Sequence, residues 1–284
     1  MKPAPFEYHA PTSLAEAMEL LGSLEDAKVL AGGQSLIPIL ALRLSRFDHL
    51  VDLGRVAELR GIERANGTVT VRAMTTQADV AADPTVAEAV PLLEKSTPLI
   101  GHFQIRNRGT LGGSIAHADP SAEYPAVAVA LGAEMEIAGP RGTRRLAATD
   151  FFESTFMTAL GDDELLTAVH FPVWDNAGFA VEEVARRHGD FALAGVMAAV
   201  QVEGGRVRRS GLGLFGVAST PHRADAGIDG ADPADLDLEE IGTRVAADLD
   251  PPDDIHASGA YRRRVAAVLV ERALRTAIQE ATRG

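Results

Sequence analysis

Two short segments of the sequence combine paired glycines with hydroxyl side chains. The first is Gly32-Gly33-Gln34-Ser35, and the second is Thr110-Leu111-Gly112-Gly113-Ser114. Glycine has no Cβ atom, so backbone N–H groups beside it can approach an anionic oxygen closely, and a nearby helix N-terminus strengthens the attraction. Either segment alone is typical of an ordinary tight turn. Together they predict a site that holds one pyrophosphate group between two bends.

Predicted strands and helices flank the two bends in the sequence and would position them. Residues 28–31 have the composition of a short strand that runs into the first bend, and residues 36–44 have that of a following helix. After the second bend, Ser121 is predicted to cap a helix that extends through Leu131. The chain therefore places a glycine pair beside a helix start twice.

The remaining elements of the first part alternate between helices and strands. Ser13 and Glu16 form a predicted capping box for a helix that ends at Gly22. Strands are predicted at residues 49–53, 69–73, 134–138 and 165–171, and helices begin at residues 75–77 and span residues 84–100. A turn-rich segment at residues 172–178 indicates a domain boundary. We therefore expect an α+β domain over residues 1–176.

The second part, residues 177–284, has strands first and helices afterwards. Strands are predicted at residues 179–185, 192–202 and 207–217, and helices at residues 238–247 and 260–282. The segment Glu203-Gly204-Gly205-Arg206 has the composition of a hairpin turn. This order predicts a small α+β domain with a three-stranded antiparallel sheet plus helices.

A third glycine-rich run, Gly211-Leu212-Gly213-Leu214-Phe215-Gly216, matches the G-x-G-x-x-G pattern of dinucleotide-binding folds. That pattern requires a strand that ends at the glycines and a helix that begins there. Here the run lies inside a strand-like segment, and residues 217–221 after it do not have helical composition. It therefore predicts a strand whose glycines permit close backbone packing.

Composition argues against several classes of function. The 284 residues carry a net charge of −13, which argues against a nucleic-acid partner, because phosphate backbones are bound by clustered Lys and Arg. The basic run Tyr261-Arg262-Arg263-Arg264 is predicted to be a solvated helix start. Without cysteine the chain cannot ligate an iron–sulfur cluster, so any redox chemistry requires a bound organic cofactor.

Other motifs are missing from the sequence. It has no Walker-type phosphate loop and no pair of histidines at the short helical spacing of a zinc site, so we expect no metal site. It also has no signal-peptide pattern and no run of about 18 apolar residues. We therefore expect a cytoplasmic protein without a transmembrane segment.

The segments around the two bends resemble a known family. They are Ala31-Gly32-Gly33-Gln34-Ser35-Leu36, the run from Ile105 to Glu123 that contains the second bend, and Gly189-Asp190-Phe191-Ala192-Leu193-Ala194-Gly195. They are similar to the FAD-binding subunits of molybdenum hydroxylases, which include the medium subunit of carbon monoxide dehydrogenase and the FAD domain of xanthine dehydrogenase. The similarity covers essentially the whole chain.

The resemblance implies a fold and a cofactor. Residues 1–176 would form a vanillyl-alcohol-oxidase-type (PCMH-type) FAD-binding domain, and residues 177–284 a C-terminal domain like that of the CO dehydrogenase flavoprotein. FAD would be bound by this chain, with no catalytic residue and no metal ligand. The implied cofactor-binding residues are Lys28, Val29, Leu30, Ala31, Gly32, Gly33, Gln34, Ser35, Leu36, Ile100, Thr110, Leu111, Gly112, Gly113, Ser114, His117, Glu123, Leu166 and Phe191.

Matching positions also imply roles for these residues. Residues 28–35 would line one side of the pyrophosphate, and residues 110–114 the other. Glu123 would contact the ribitol or ribose region, and Ile100 and Leu166 would touch the isoalloxazine or adenine portion. Phe191 stands where some relatives have a tyrosine stacked over the flavin, so it retains the ring without the hydroxyl.

The role of His117, which lies in the segment from Ile105 to Glu123, has two interpretations. It could act as an acid or base, or it could be a hydrogen-bonding or structural residue. Flavin electron transfer needs no obligatory protein nucleophile, because the redox chemistry belongs to the cofactor. We therefore favour the structural role.

The resemblance further implies partners. Two [2Fe–2S] clusters would lie on a small subunit and the molybdenum cofactor on a large subunit, in an L₂M₂S₂ assembly, with this chain passing electrons to an external acceptor. Two alternatives remain: a free-standing FAD-dependent oxidase or dehydrogenase, and a flavin-free binding protein of the same fold. The first usually has a larger substrate domain than the residues after Gly178 provide, and a yellow purified protein would argue against the second. The sequence determines neither the substrate nor the acceptor.

Overall fold

Short strands separated by helices build the first sheet. The computed structural model describes residues 2–283. The sheet is parallel, with its strands in the order β1, β3, β2. The strands are β1 (Glu7–His9), β2 (Ala27–Leu30) and β3 (His49–Asp52), and the helices between them are α1 (Leu14–Ser23) and α2 (Leu36–Ala41). The strand β2 therefore runs directly into the first glycine bend.

A second, antiparallel sheet forms the body of the N-terminal part. Its five strands are, in spatial order, β4 (Ile62–Ala65), β5 (Thr68–Arg72), β10 (Leu165–Pro172), β6 (Glu134–Gly139) and β7 (Gly142–Ala147). Five short helices connect β5 to the centre of the chain: α3 (Gln77–Ala82), α4 (Pro84–Ala89), α5 (Pro91–Ser96), α6 (Phe103–Arg106) and α7 (Leu111–His117). They precede α8 (Glu123–Leu131), in which all nine residues are buried. A short helix, α9 (Ala148–Phe151), leads into a hairpin of β8 (Phe152–Ser154) and β9 (Met157–Thr158).

The C-terminal part is an antiparallel sheet covered by two helices. Its strands are β11 (Ala177–Ala185), β12 (Ala192–Glu203), β13 (Arg206–Phe215) and β14 (His222–Ala224), and its helices are α10 (Leu238–Ala247) and α11 (Gly259–Ala281). The sheet thus has four strands, so the prediction of three was wrong. Three residues that read His-Arg-Ala carry no alternation from which β14 could be recognised.

The glycine-rich run at residues 211–216 lies in and just after β13, as predicted. A Cβ atom on Gly211 or Gly213 would stand 2.1 Å from a carbonyl oxygen of α8, that of Ala130 or Ala126 respectively. The two glycines therefore let α8 lie directly against the sheet. The hairpin at residues 203–206 is also confirmed, because Gly204 and Gly205 have φ values of 59° and 77°, as a type I′ turn requires.

The two parts share one apolar core. Alongside α8 it includes Phe179, Met197 and Phe215 of the C-terminal sheet, while the other face of that sheet packs on α10 and α11 in a separate cluster. A division after residue 176 stays a prediction, and its outer ends, residues 1 and 284, lie outside the described residues. Among the helices of residues 2–283, none has both the length and the apolar character to cross a membrane.

The predicted helix over residues 84–100 is wrong as a single element. The chain forms α4 from Pro84, α5 from Pro91, and a 3₁₀ turn, Thr97–Leu99, that contains Pro98. Proline has no N–H group and its ring clashes with the preceding turn, so a helix cannot continue through it but readily begins at it.

Two predicted helix ends also differ in the structure. The Ser13 cap of α1 is confirmed, but Gly22 lies inside this helix, which ends at Ser23. Ser121 does not cap α8, because Ala122 occupies the N-cap position without a side-chain bond. The Ser121 N–H group instead donates to the Asp119 carboxylate at 2.8 Å.

The predicted solvated start of the last helix is wrong for one residue. Arg262 is only 4% exposed, and its guanidinium group donates to the carbonyl oxygens of Leu193 and Gly216 at 2.6 and 3.0 Å and to Asp254 at 2.6 Å. It joins α11 to the end of the sheet, whereas Arg264 is exposed. A run of three arginines does not reveal which of them faces the core.

Candidate functional site

The structure brings the two glycine bends together. A Cβ atom on Gly32 would stand 2.2 Å from the carbonyl oxygen of Arg108 and 2.7 Å from Cα of Gly109. From the other side, a Cβ atom on Gly113 would lie 3.3 Å from Cβ of Ala31. Backbone therefore packs on backbone at this point, and only glycine fits at position 32.

The first bend presents free backbone donors. Gly33 has φ of 74°, in the left-handed region that favours glycine. Within residues 2–283, the N–H groups of Gly33, Gln34 and Ser35 have no hydrogen-bond acceptor. The Ser35 hydroxyl makes no capping bond, although Ser35 is the N-cap residue of α2. Three amides and one hydroxyl at the end of β2 can thus bind an anionic oxygen.

The second bend is built differently from the prediction. Gly112, Gly113 and Ser114 lie in the first two turns of α7, and their N–H groups are already used. Gly112 donates to the carbonyl oxygen of Ala73 at 2.8 Å, and Gly113 donates to the Thr110 hydroxyl at 3.1 Å. Close packing requires glycine at position 112, because an added Cβ atom would stand 2.5 Å from Cβ of Ala73. The second bend therefore offers the Ser114 hydroxyl and a glycine surface that has no Cβ atoms. The free amides belong to the first bend.

Glu123 is a buried carboxyl group at the start of α8. Its side chain is nine-tenths or more removed from water, and burial is the main cause that raises its pKa to about 8. A hydrogen bond from its own amide opposes this shift, and the nearby carboxylates of Glu183 and Asp119 add to it. At neutral pH the group is therefore mostly protonated and can donate a hydrogen bond.

The titration of Glu123 predicts a pH-dependent difference in stability. Its raised pKa favours the folded state most below the ordinary value of 4.5, and this contribution is lost as the pH rises through about 8. A Glu123→Gln variant keeps the shape without the titration, so it should melt several degrees above the unaltered chain at pH 9 and close to it at pH 5. Thermal unfolding at both pH values measures this, with Glu19→Gln at an exposed position as the control. An equal difference at both pH values would contradict the assignment.

The β11–β12 hairpin of the C-terminal sheet reaches over the turn that contains Ile100. Arg106 holds this turn by donating to the carbonyl oxygens of Ile100 and Gly101, each at 2.9 Å. Gly189, at the tip of the β11–β12 hairpin, packs so closely that its Cβ atom would stand 2.9 Å from the His102 ring. Between the hairpin and the turn lies a pocket of about 170 Å³, lined by Leu99, Glu183, Ala185, Arg187, His188 and Gly189.

Sequence reasoning missed Glu183, which lies on β11. Burial raises the pKa of Glu183 to about 7. Its Oε2 atom is buried and has no hydrogen-bond partner in the described part of the chain. A buried polar atom without a partner is costly, which indicates a ligand group that satisfies it. Nothing in the acidic pair Glu182-Glu183 marked it, because only the fold aims this carboxyl group into the pocket.

The histidine of the second segment, His117, is half-buried in the last turn of α7. Burial, the largest cause, lowers its pKa, and the nearby Lys28 lowers it further while Asp119 opposes the change. Its ring packs against Phe156 with centroids 4.9 Å apart. The lowered pKa favours the neutral imidazole, and the contact with Phe156 agrees with a structural or hydrogen-bonding role.

The other predicted residues occupy varied positions. Lys28 is exposed, with its Nζ atom 5.7 Å from the centre of the Phe47 ring. Phe191 is 73% exposed beside the hairpin tip, and Leu166 is buried in the main core on β10. Leu30 is buried at the end of β2, Leu111 is buried at the start of α7, and Val29, Ala31 and Leu36 are half-buried around the first bend.

Two known sequence families match this chain in succession. Residues 4–174 match the family described as the FAD binding domain in molybdopterin dehydrogenase. Residues 179–277 match the CO dehydrogenase flavoprotein C-terminal domain. This chain belongs to the FAD-binding subunit family of molybdenum-containing dehydrogenases.

Two medium chains of known dehydrogenases are similar to this chain over nearly their whole length. The carbon monoxide dehydrogenase medium chain of Hydrogenophaga pseudoflava is 38% identical over 282 residues, which are 98% of each chain. The glyceraldehyde dehydrogenase medium chain of Sulfolobus acidocaldarius is 36% identical, over 97% of this chain and 99% of the relative. A solved structure of the Hydrogenophaga enzyme, in a form that lacks the Mo-pyranopterin moiety, superposes with a TM-score of 0.96 at 38% identity and covers 99% of both chains.

Membership in the family confirms several expectations. The chain is an FAD-binding oxidoreductase subunit whose fold combines the FAD-binding domain with a C-terminal domain built on a small antiparallel sheet. The first bend fits the diphosphate of FAD, because three successive amides there have no acceptor within residues 2–283. The residue-by-residue cofactor contacts stay a prediction.

Proposed function

We propose that this chain is the FAD-carrying electron-transfer subunit of a molybdenum hydroxylase, which passes electrons from [2Fe–2S] clusters on a partner to an external acceptor. The observation that carries this proposal is the full-length similarity to medium chains of molybdenum-containing dehydrogenases. These 284 residues contain no cysteine, so thiolate-bound clusters would lie on another chain.

In this proposal the first bend binds the diphosphate of FAD. The amides of residues 33–35 donate to its oxygens, and the contact between Gly32 and Arg108 keeps the two bends in register. The Ser35 and Ser114 hydroxyls supply two further groups. Because the amide donors are backbone atoms held between β2 and α2, they are preorganised before the ligand arrives.

The buried carboxyl groups have a second role. Glu123, protonated at neutral pH, donates a hydrogen bond to a hydroxyl of the ribityl or ribose portion. Glu183 faces the pocket beneath the hairpin tip, where its unpartnered oxygen accepts a bond from a polar edge of the ligand. The hairpin around Gly189 excludes water from this end of the site.

When bound, FAD supplies the exchange between one-electron and two-electron transfer, and the protein supplies binding, orientation and electrostatics. We place the [2Fe–2S] clusters on a small subunit and the molybdenum cofactor on a large subunit, in an L₂M₂S₂ assembly. We also propose that the assembly is cytoplasmic. Its substrate would be selected by the large subunit and not by this chain.

The isolated chain should bind flavin without oxidising a hydroxylase substrate. Purified alone, it should be yellow, and its flavin should be reduced by dithionite and reoxidised by an artificial acceptor. Its turnover of aldehyde, purine or heterocyclic substrates should be at least about 100-fold below that of the assembled complex, because that chemistry belongs to a cofactor of another subunit. Absorption spectra and steady-state assays measure both properties.

Co-expression with the neighbouring reading frames provides the control. Turnover should appear when iron–sulfur and molybdenum subunits co-purify with this chain. Full turnover by the chain alone would refute the electron-transfer role and favour a free-standing flavoenzyme. A colourless chain that cannot be loaded with FAD would refute the cofactor assignment instead.

A further inference from the structure

Two histidines and a glutamate meet on the first sheet, away from the glycine bends. Nε2 of His9 and Nδ1 of His49 lie 3.1 Å apart. One carboxylate oxygen of Glu7 lies 4.0 Å from Nε2 of His9 and 3.6 Å from Nδ1 of His49. The two imidazoles are about four-fifths buried, and the carboxylate reaches them from the solvent side.

Strand geometry explains why these three side chains share one face. Glu7 and His9 are separated by one residue on β1, so they point to the same side of the sheet, while Tyr8 points away and donates to Asp52 at 2.5 Å. The neighbouring strand β3 is parallel, and its register aligns Glu7 with His49. The pairing of β1 with β3 therefore brings the three side chains together, and no loop conformation is needed.

We propose that Glu7, His9 and His49 bind one transition-metal dication of the Zn²⁺ class. Two ligand nitrogens of a tetrahedral zinc ion, each about 2.0–2.1 Å from the metal, lie about 3.3 Å apart, close to the distance between the two rings here. Imidazole nitrogen suits zinc, copper and nickel, and a carboxylate completes a set of three ligands with one position left for water. Small shifts of the exposed Glu7 side chain would bring its oxygen to the same distance.

The site lies on β1 and β3, whereas the first bend follows β2, which flanks β3 on its other side. His49 is level with Ala27, and His9 is level with Val51 and Val29, so the cluster stands beside the strands and the bend begins beyond Leu30. The metal would pin β1 to β3, and none of its three ligands is a proposed FAD contact, so FAD loading and metal binding can be measured separately.

Titration of the FAD-loaded full-length chain with Zn²⁺ tests the site. After treatment with a chelator, isothermal titration should show one equivalent of Zn²⁺ per chain, and added Zn²⁺ should raise the melting temperature. His9→Gln and His49→Gln should each weaken binding at least about tenfold and abolish the rise, since metal ligation requires the imidazole. Glutamine retains a hydrogen-bonding group, so the strands should still pair, and the flavin absorbance reports that the fold is intact.

A surface histidine elsewhere is the matched control. His256 is exposed in the loop before α11, and His256→Gln should bind Zn²⁺ as the unaltered chain does. Absence of binding by the unaltered chain would overturn the proposal and leave the two rings as a simple hydrogen-bonded pair. Undiminished binding in either the His9 or the His49 variant would overturn it as well, because the proposed ion needs both nitrogens.

Discussion

Replacing Gly32 with alanine should abolish stable FAD binding: the dissociation constant for FAD should rise at least about tenfold, which corresponds to about 1.4 kcal/mol, and the flavin content of the purified protein should fall. The added methyl group would stand 2.2 Å from the carbonyl oxygen of Arg108, a distance that no relaxed structure accepts. The atoms that the methyl group would meet belong to the backbone of Arg108 and Gly109, so the strain can be relieved only by separating the two bends. Overpacking of this kind costs about 1–3 kcal/mol, and here it also displaces the phosphate donors.

A second glycine provides the control for this experiment. A Cβ atom on Gly22 in α1 would meet nothing within 4 Å, so Gly22→Ala should keep its full flavin content and be slightly stabilised. Flavin content is measured by absorbance after gel filtration, and circular dichroism confirms that each variant is folded. A folded Gly32→Ala protein that retains stoichiometric FAD would show that the contact between the bends is not what forms the cofactor site.

Replacing Arg262 with methionine should lower the free energy of unfolding by about 3 kcal/mol or more. The variant retains an apolar stem but leaves the carbonyl oxygens of Leu193 and Gly216 buried without a donor, and each unsatisfied group costs about 1–3 kcal/mol. Gly216 in turn donates to the carbonyl oxygen of Pro120 at 2.8 Å, which ties the sheet to the segment between α7 and α8. Chemical denaturation measures the change.

Arg264 is the matched control, because it lies two residues along the same helix and is exposed. Arg264→Met should change the free energy of unfolding by no more than about 0.5 kcal/mol. If both variants lost the same free energy, charge removal from the basic run would be the cause, and the buried role of Arg262 would be wrong.

The sequence by itself determined the position and type of most elements and the location of the cofactor motifs. Periodic apolar residues and local turn chemistry act over a few neighbouring positions, so they predicted α1, α10, α11 and the hairpin at residues 203–206. Local rules also separated the glycine-rich run of β13 from a nucleotide-binding loop. The resemblance to FAD-binding subunits rested on the segments around the same two bends, and the family match confirms it.

Only the tertiary structure decided how distant residues are used. It showed that the amides of Gly112 and Gly113 are consumed inside the protein and that the free donors are those of the first bend. It also buried Arg262 and one carboxylate oxygen of the half-buried Glu183, which sequence patterns treat as ordinary surface charges.

The cluster of Glu7, His9 and His49 shows the same limit most clearly. Short spacing reveals metal ligands only when they share one turn or loop, and these two histidines are 40 residues apart. They meet because β1 and β3 are paired in one register, and strand register is set by the packing of the whole sheet. Long-range pairing of this kind cannot be read from a local pattern, and for that reason the functional surface of this chain depends on its folded form.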